Sequence, residues 1–213
     1  MQYQTFCRIA PLAALLAVGA YGQEPITVSV SAMANIFAAG QPSAFSGELP
    51  PVVTFTAGSV ASINIEAVGK VTLGGGEPYS GPAGIPFPGG TDLTSFNGLS
   101  GIIAKDRGFF LTGVFLDDST PTGDGPPILN FTGAESFVSL SPLLSQTFFI
   151  GNGGNGPSSS PTIKTFYVPE GATRLFLGVS DGCVLASGPP GCYNDNVGQF
   201  VADVTLQPPP STK

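Results

Sequence analysis

The chain has 213 residues and a formal net charge of −7, and it contains no His and no Trp. Such an acidic chain cannot neutralise a row of phosphates, and the lack of His excludes a Ser-His-Asp triad and most zinc hydrolase sites. Its 30 Gly and 21 Pro, with only 10% charged residues, are typical of short strands joined by tight turns.

Residues 1–22 have the pattern of a secretory signal peptide. One basic residue, Arg8, precedes a mostly apolar run at residues 9–20, and small residues surround a cleavage point after Gly22. A membrane anchor is less consistent with this run, because a span needs roughly 18 or more apolar residues. We therefore expect a secreted or extracytoplasmic protein with no transmembrane segment after cleavage.

Strand patterns recur throughout residues 23–206, the predicted domain. They are alternating or continuous apolar runs at residues 26–32, 52–56, 60–69, 101–104, 109–116, 148–150, 165–169, 174–179 and 200–206. Residues 74–98 are rich in Gly, Pro and Ser and are predicted to form a long loop. Residues 207–213 form a Pro-rich tail that is not expected to join a sheet. We predict an all-β fold, a single-domain antiparallel β-sandwich with long Gly/Pro-rich loops.

Two cysteines remain once the signal peptide, which contains Cys7, is removed. Cys183 and Cys192 are nine positions apart, and in an oxidising compartment the simplest prediction is a disulfide between them. A metal–thiolate pair would need further soft ligands, which a chain without His does not supply.

Short oxygen-bearing side chains flank this predicted disulfide. Asp181 follows the strand at 174–179, while Asp195 and Asn196 precede the last strand. If these two strands form a hairpin, the three side chains meet at one edge of a sheet. Carboxylate and amide oxygens are ligands that Ca²⁺ prefers, and it takes about 6–8 of them. Asp, Asn and Gly are also ordinary turn residues, so a cross-linked loop without metal stays open as an alternative.

The same region resembles a known family. Residues 168–178, Asp181 and residues 193–200 look like the C-terminal half of the bacterial calcium-dependent galactophilic lectins, and residues 57–69 are similar to that family's second and third strands. The resemblance implies an exported, calcium-dependent carbohydrate-binding protein of the bacterial periplasm or cell surface. It also implies galactose-containing glycans as the ligand class, and a homo-oligomer is compatible with it.

The resemblance further implies a set of ligands for calcium. The side chains of Asp181, Asp195 and Asn196 would bind the ion, together with the main-chain carbonyls of Cys192 and Leu73. Asp181, Asp195, Asn196 and Tyr193 would form the sugar-binding site.

The chain departs from the family in two respects. The segment 182–192 is a longer, disulfide-closed insertion, which we expect to lie over the sugar position. The His that the family uses to grip the sugar has no counterpart here.

Two other functions remain open. One is a surface-associated structural β-sandwich, stabilised by calcium or not, that binds no sugar. The other is a glycosidase in which Asp117 and Asp118 act as acid and base. We do not predict an enzyme, because adjacent residues on a strand point to opposite faces of the sheet.

Overall fold

The computed structural model describes residues 23–72, 74–76, 79–156 and 162–211. The predicted signal peptide and Leu73 lie outside these ranges. Within them, no helix has the length and apolar character that crossing a membrane requires.

Strands dominate the described residues, and only two single-turn 3-10 helices interrupt them, at Ile36–Ala38 and Tyr193–Asp195. The strands are β1 (Ile26–Ser31), β2 (Val52–Thr54), β3 (Ser62–Thr72), β4 (Ala83–Pro86), β5 (Thr91–Leu93), β6 (Ile102–Ala104), β7 (Arg107–Leu116), β8 (Leu129–Asn130), β9 (Ser139–Leu140), β10 (Thr147–Phe149), β11 (Thr165–Tyr167), β12 (Arg174–Val179) and β13 (Val197–Gln207). The all-β prediction is confirmed.

These strands form three sheets. The first has the order β1-β13-β3-β11-β9, the second has the order β10-β7-β12-β2 with β4 also paired to β7, and a small third sheet has the order β5-β6-β8. Pairing is antiparallel except between β9 and β11 and between β6 and β8, which run parallel.

The first two sheets share one apolar core. On β13 every second residue from Phe200 onward is buried or nearly so, as expected for a strand with one face against a core. Phe148 of β10 lies 5.0 Å from Phe166 of β11, measured between ring centroids, and so joins the second sheet to the first. This arrangement is the predicted β-sandwich.

Strand β7 is buried on both faces. Its residues from Gly108 to Leu116 are all buried, which matches a continuous apolar run rather than an alternating one. Gly113 lets Phe148 pack closely, because a Cβ at Gly113 would lie 2.7 Å from Cζ of Phe148. β7 therefore forms the centre of the second sheet.

The prediction of a long loop at residues 74–98 is wrong in part, because β4 and β5 lie within this segment. β4 pairs with the first half of β7, and Gly84 adopts a φ of +75° where a Cβ would be 2.6 Å from the carbonyl oxygen of Gly108. The glycine that suggested a loop therefore allows the close approach of two strands. At the other end of the chain, Gln207 belongs to β13 and pairs with Ser62, so the predicted tail begins one residue later.

The expectation of a hairpin around Asp181 is also wrong. β12 belongs to the second sheet and β13 to the first, so these strands are not partners. Residues 180–196 instead carry the chain from one sheet across to the other. Asp181 and Asn196 still meet, because both lie where this crossing connects the two layers.

Candidate functional site

Asp181 is the central residue of the site. Its side chain is 4% exposed, Oδ1 accepts a hydrogen bond from the backbone N–H of Gly182 at 2.7 Å, and Oδ2 accepts one from Nδ2 of Asn196 at 2.9 Å. None of the ion pairs among the described residues includes it. Burial, and to a smaller extent the charge of Asp195, raises the pKa of Asp181 to about 7.

Asn196 ties Asp181 to two other segments. Its Nδ2 also donates to the carbonyl oxygen of Ala32, directly after β1, at 3.0 Å. Its Oδ1 accepts from the backbone N–H of Gly74, in the segment after β3, at 3.3 Å. The amide is 5% exposed, and its oxygen is the atom that would be offered to a cation.

Tyr193 positions the backbone of Asp181 through its hydroxyl group. The ring is fully buried, and its hydroxyl donates to the carbonyl oxygen of Val179 at 2.9 Å and accepts from the backbone N–H of Asp181 at 3.0 Å. The sequence predicts that Tyr193 contacts a ligand directly. In the structure it instead fixes the backbone of Asp181 against the end of β12.

The predicted disulfide between Cys183 and Cys192 is confirmed, with their Cα atoms 5.1 Å apart. Next to it, the backbone N–H of Gly191 donates to the carbonyl oxygen of Asp181 at 3.1 Å. Cys192 has a φ of 62°, a left-handed conformation that turns the chain into the 3-10 turn containing Tyr193. The cross-link therefore closes the insertion at its neck.

The insertion lies alongside β5. The backbone N–H groups of Asp92 and Thr94 donate to the carbonyl oxygens of Leu185 and Gly188, at 2.7 and 2.9 Å. Val184 is exposed, whereas Leu185 is buried. The insertion thus forms a side wall to the space beside Asp181.

That space is a cavity of about 380 Å³. One part of its wall consists of Asp181, Asp195, Cys192, Cys183, Gly182 and Gly74. The other part is apolar and consists of Tyr79, Phe87, Phe109 and Leu185. The ring of Phe109 lies edge-on to Phe87 at 5.1 Å and 5.8 Å from Tyr79. Three of the predicted ligands, Asp181, Asp195 and Cys192, therefore share one cavity.

Phe109 is a wall residue that the sequence did not single out. It has a φ of 65°, which is unfavourable for a bulky side chain and interrupts the regular conformation of β7. Unusual backbone of this kind is often found at binding sites. Nothing in the apolar run around it distinguishes it from the core phenylalanines.

The donors at the polar end suit a hard cation. Asp181, Asp195 and Cys192 line the cavity and carry two carboxylates and a backbone carbonyl. Asn196, which does not line the cavity, contacts Asp181 and carries an amide oxygen. Among the described residues, no three or more His, Cys, Asp or Glu side chains are placed together so that they could hold a metal ion, so a metal here would draw on amide, carbonyl and solvent or ligand oxygens as well. A buried carboxylate without a cationic partner is unfavourable, and a bound cation would relieve this. The oxygen types present are therefore among those that Ca²⁺ binds.

Asp117 and Asp118 are engaged in local contacts away from this cavity. Oδ1 of Asp117 accepts from the hydroxyl and backbone N–H of Ser119, and these bonds lower the pKa of Asp117. Oδ1 of Asp118 accepts from the hydroxyl of Thr173 at 2.6 Å. The two carboxylates thus have separate hydrogen-bond partners.

No protein-family model matches the chain, and no curated protein matches it significantly. Among solved structures it is similar to the EclA N-terminal domain, described as a PllA-like lectin, with 18% sequence identity and a TM-score of 0.36. The similarity covers 86% of this chain and 98% of that one. A likeness this distant does not assign a function.

Proposed function

We propose that this chain is an exported carbohydrate-binding protein that holds a calcium ion, and through it a sugar, in the cavity beside Asp181. The observation that carries the proposal is the Asp181 carboxylate. It is 4% exposed, lines the cavity and has no cationic partner among the described side chains.

A bound calcium ion would supply the positive charge that the buried carboxylate of Asp181 lacks among the described side chains. Asp181, Asp195 and Asn196 supply side-chain oxygens, and the carbonyl of Cys192 supplies a backbone oxygen. The carbonyl of Leu73 is added from the sequence resemblance. Since Ca²⁺ takes about 6–8 oxygens, such a set leaves coordination positions for water or for the hydroxyls of a sugar.

A sugar suits the rest of the cavity. A monosaccharide carries hydroxyls on its edges and apolar C–H groups on its faces, and this cavity offers carboxylates together with the rings of Tyr79, Phe87 and Phe109. Its volume of about 380 Å³ lies in the range of small-molecule sites, about 300–1,000 Å³. Galactose-containing glycans are the first class to test, because the sequence resemblance points to them.

A single sugar in such a site binds weakly, because it makes few contacts and displaces bound water. We therefore include multivalency in the proposal, through a homo-oligomer or through many copies on a surface. Analytical ultracentrifugation of the mature protein tests the first of these.

The calcium part is tested by calorimetric titration of calcium into chelator-stripped mature protein. We expect a dissociation constant of about 0.1–1 mM, as in extracellular calcium modules. Asp181→Asn should abolish binding because it removes one of two carboxylates. Asp124→Asn, which removes an exposed carboxylate elsewhere, is the matched control. Equal calcium binding by both variants would refute the assignment.

The sugar part is tested on a broad glycan array with calcium and then with chelator. Tyr79→Ala should weaken sugar binding and leave calcium affinity unchanged, while Tyr167→Ala, at a similarly exposed tyrosine on β11, should change neither. The array is repeated with a variant in which residues 184–191 are shortened and both cysteines kept. If calcium binds and neither protein retains any glycan, a structural calcium-stabilised sandwich replaces the lectin proposal.

A further inference from the structure

A second cavity, of about 300 Å³, lies apart from the one beside Asp181. It is lined by Arg107 at the start of β7, Phe149 at the end of β10, Lys164 just before β11, and Glu135. None of these residues lines the first cavity. Its character also differs, because two of its lining residues are cationic.

Lys164 is a buried cation with few protein partners. Its side chain is 1% exposed, and its ammonium donates to the carbonyl oxygen of Ile150 at 3.0 Å. The ammonium also lies 4.8 and 4.7 Å from the ring centroids of Phe137 and Phe149. No ion pair among the described residues includes it. Because an ammonium has three donors, the single hydrogen bond leaves donors for a ligand.

Arg107 adds a second positive charge. Its Nε donates to Oε1 of Glu135 at 2.8 Å, its Nη1 donates to the carbonyl oxygen of Ala83 at 2.9 Å, and its Cζ lies 5.7 Å from the ring centroid of Phe149. Its Nη2 also lies 3.5 Å from Oδ2 of Asp106, which does not line the cavity. Counting only the lining residues Lys164, Arg107 and Glu135, the cavity carries one net positive charge, in a chain whose formal net charge is −7.

We propose that this cavity binds a small monocarboxylate, whose carboxylate group is held by the ammonium of Lys164 and the guanidinium of Arg107. One negative charge balances the net charge of the lining, and a carboxylate is the planar anion that arginine binds well. Ser136 and Asn152 also line the cavity and carry polar groups for the rest of such a ligand. A doubly charged phosphate would leave uncompensated negative charge next to Glu135.

The protonation of Lys164 supports this assignment. Burial is the larger cause that lowers the pKa of Lys164 to about 8, the charge of Arg107 lowers it further, and the charge of Glu135 opposes both. The ammonium is therefore largely charged near pH 7 and loses its charge above about pH 8. A bound carboxylate favours the charged form and must raise this pKa.

The test uses acetate and glucuronate as probes, with chloride at equal ionic strength as the reference. NMR follows both the affinity and the pKa of Lys164. In the wild type we expect binding of both probes with a rise in that pKa. Lys164→Met keeps the apolar stem and removes the charge, so binding should weaken by about tenfold or more. Lys70→Met, at an exposed lysine on β3, should bind as the wild type does.

A second measurement needs no variant. Near pH 9.5 the wild type should bind acetate about tenfold more weakly than near pH 6.5, because Lys164 is then neutral while acetate stays ionised. Absence of binding by both probes at tens of millimolar, equal binding in Lys164→Met, or binding unaffected by pH would each overturn the proposal. Tighter, Lys164-dependent binding of inorganic phosphate would overturn the choice of a monocarboxylate.

Discussion

The side-chain amide of Asn196 donates a hydrogen bond to Oδ2 of Asp181 at 2.9 Å, and this contact joins the two main sheets of the sandwich. Asp181 follows β12 of the second sheet, and Asn196 precedes β13 of the first. The polar end of the cavity is therefore assembled across the two layers. Its geometry depends on how the sheets are packed, and perturbing it should affect stability as well as binding.

Asn196→Asp tests this contact together with the calcium proposal. Without calcium, we expect a free energy of unfolding lower by about 1–3 kcal/mol, because the donor to Asp181 is lost and a second carboxylate lies next to it. Excess calcium should recover most of this loss by neutralising the pair. Urea unfolding in chelator and in calcium measures both effects.

Asn130→Asp is the matched control for that substitution. The Oδ1 of Asn130, at the end of β8, accepts from the backbone N–H of Thr132 at 2.9 Å in an exposed position, and an aspartate can do the same. We expect little change in stability and no dependence on calcium. If calcium does not restore the stability of Asn196→Asp, the polar end of the cavity does not bind the ion.

Tyr193→Phe tests whether the buried hydroxyl positions Asp181. The substitution leaves the backbone N–H of Asp181 and the carbonyl oxygen of Val179 without this partner, so unfolding should become easier by about 1–3 kcal/mol. Calcium affinity should fall as well, since Asp181 is held less firmly. Tyr167→Phe, on an exposed strand position, should change neither quantity.

The disulfide gives a prediction of its own. Denatured mature protein should titrate no free thiol without a reductant, because Cys183 and Cys192 are joined within one chain. Replacing both with Ser should lower the free energy of unfolding by about 2–3 kcal/mol for a loop of this length. Calcium affinity should fall too, because the neck next to Asp181 is released. Unchanged affinity in the double variant would show that the cross-link has no part in forming the site.

We predict from the lowered pKa of Lys164 that the free energy of unfolding increases as the pH rises above about 8. Its pKa is about 8 in the folded state against 10.5 as the ordinary value, so between these two pH values the unfolded chain binds a proton that the folded chain has lost. Stability must then increase with pH across this window, by up to about 3 kcal/mol. Urea unfolding at several pH values should show the rise in the wild type and in Lys70→Met, but not in Lys164→Met. Identical profiles for all three proteins would contradict it.

The long strands were predictable from sequence because their patterns are local. β1, β3 and β13 alternate where one face meets the core, and β7 is continuously apolar because both of its faces are buried. The short strands β4 and β5 carry no such pattern, because they are defined by backbone pairing with β7 and β6 rather than by their own residues. Local pattern cannot reveal them.

The polar residues of the candidate site could be predicted from the sequence, but the way in which the fold brings them together could not. Asp181, Asp195 and Asn196 could be chosen from residue type and position, and the cysteines from their spacing. A hairpin was the simplest way to bring them together, whereas the structure joins them across two sheets. Which sheet a strand enters depends on all of its competing partners. For the same reason, Phe109 could not be told apart from the phenylalanines of the core.

The insertion at residues 182–192 is anchored by some of its residues and exposes others. Its neck is closed by the disulfide, and its flank is held against β5 through Leu185 and Gly188. The exposed residues Val184, Ala186 and Ser187 have none of these anchoring roles. Substitutions at those three positions can therefore change the exposed surface of the insertion while its neck and its flank stay in place.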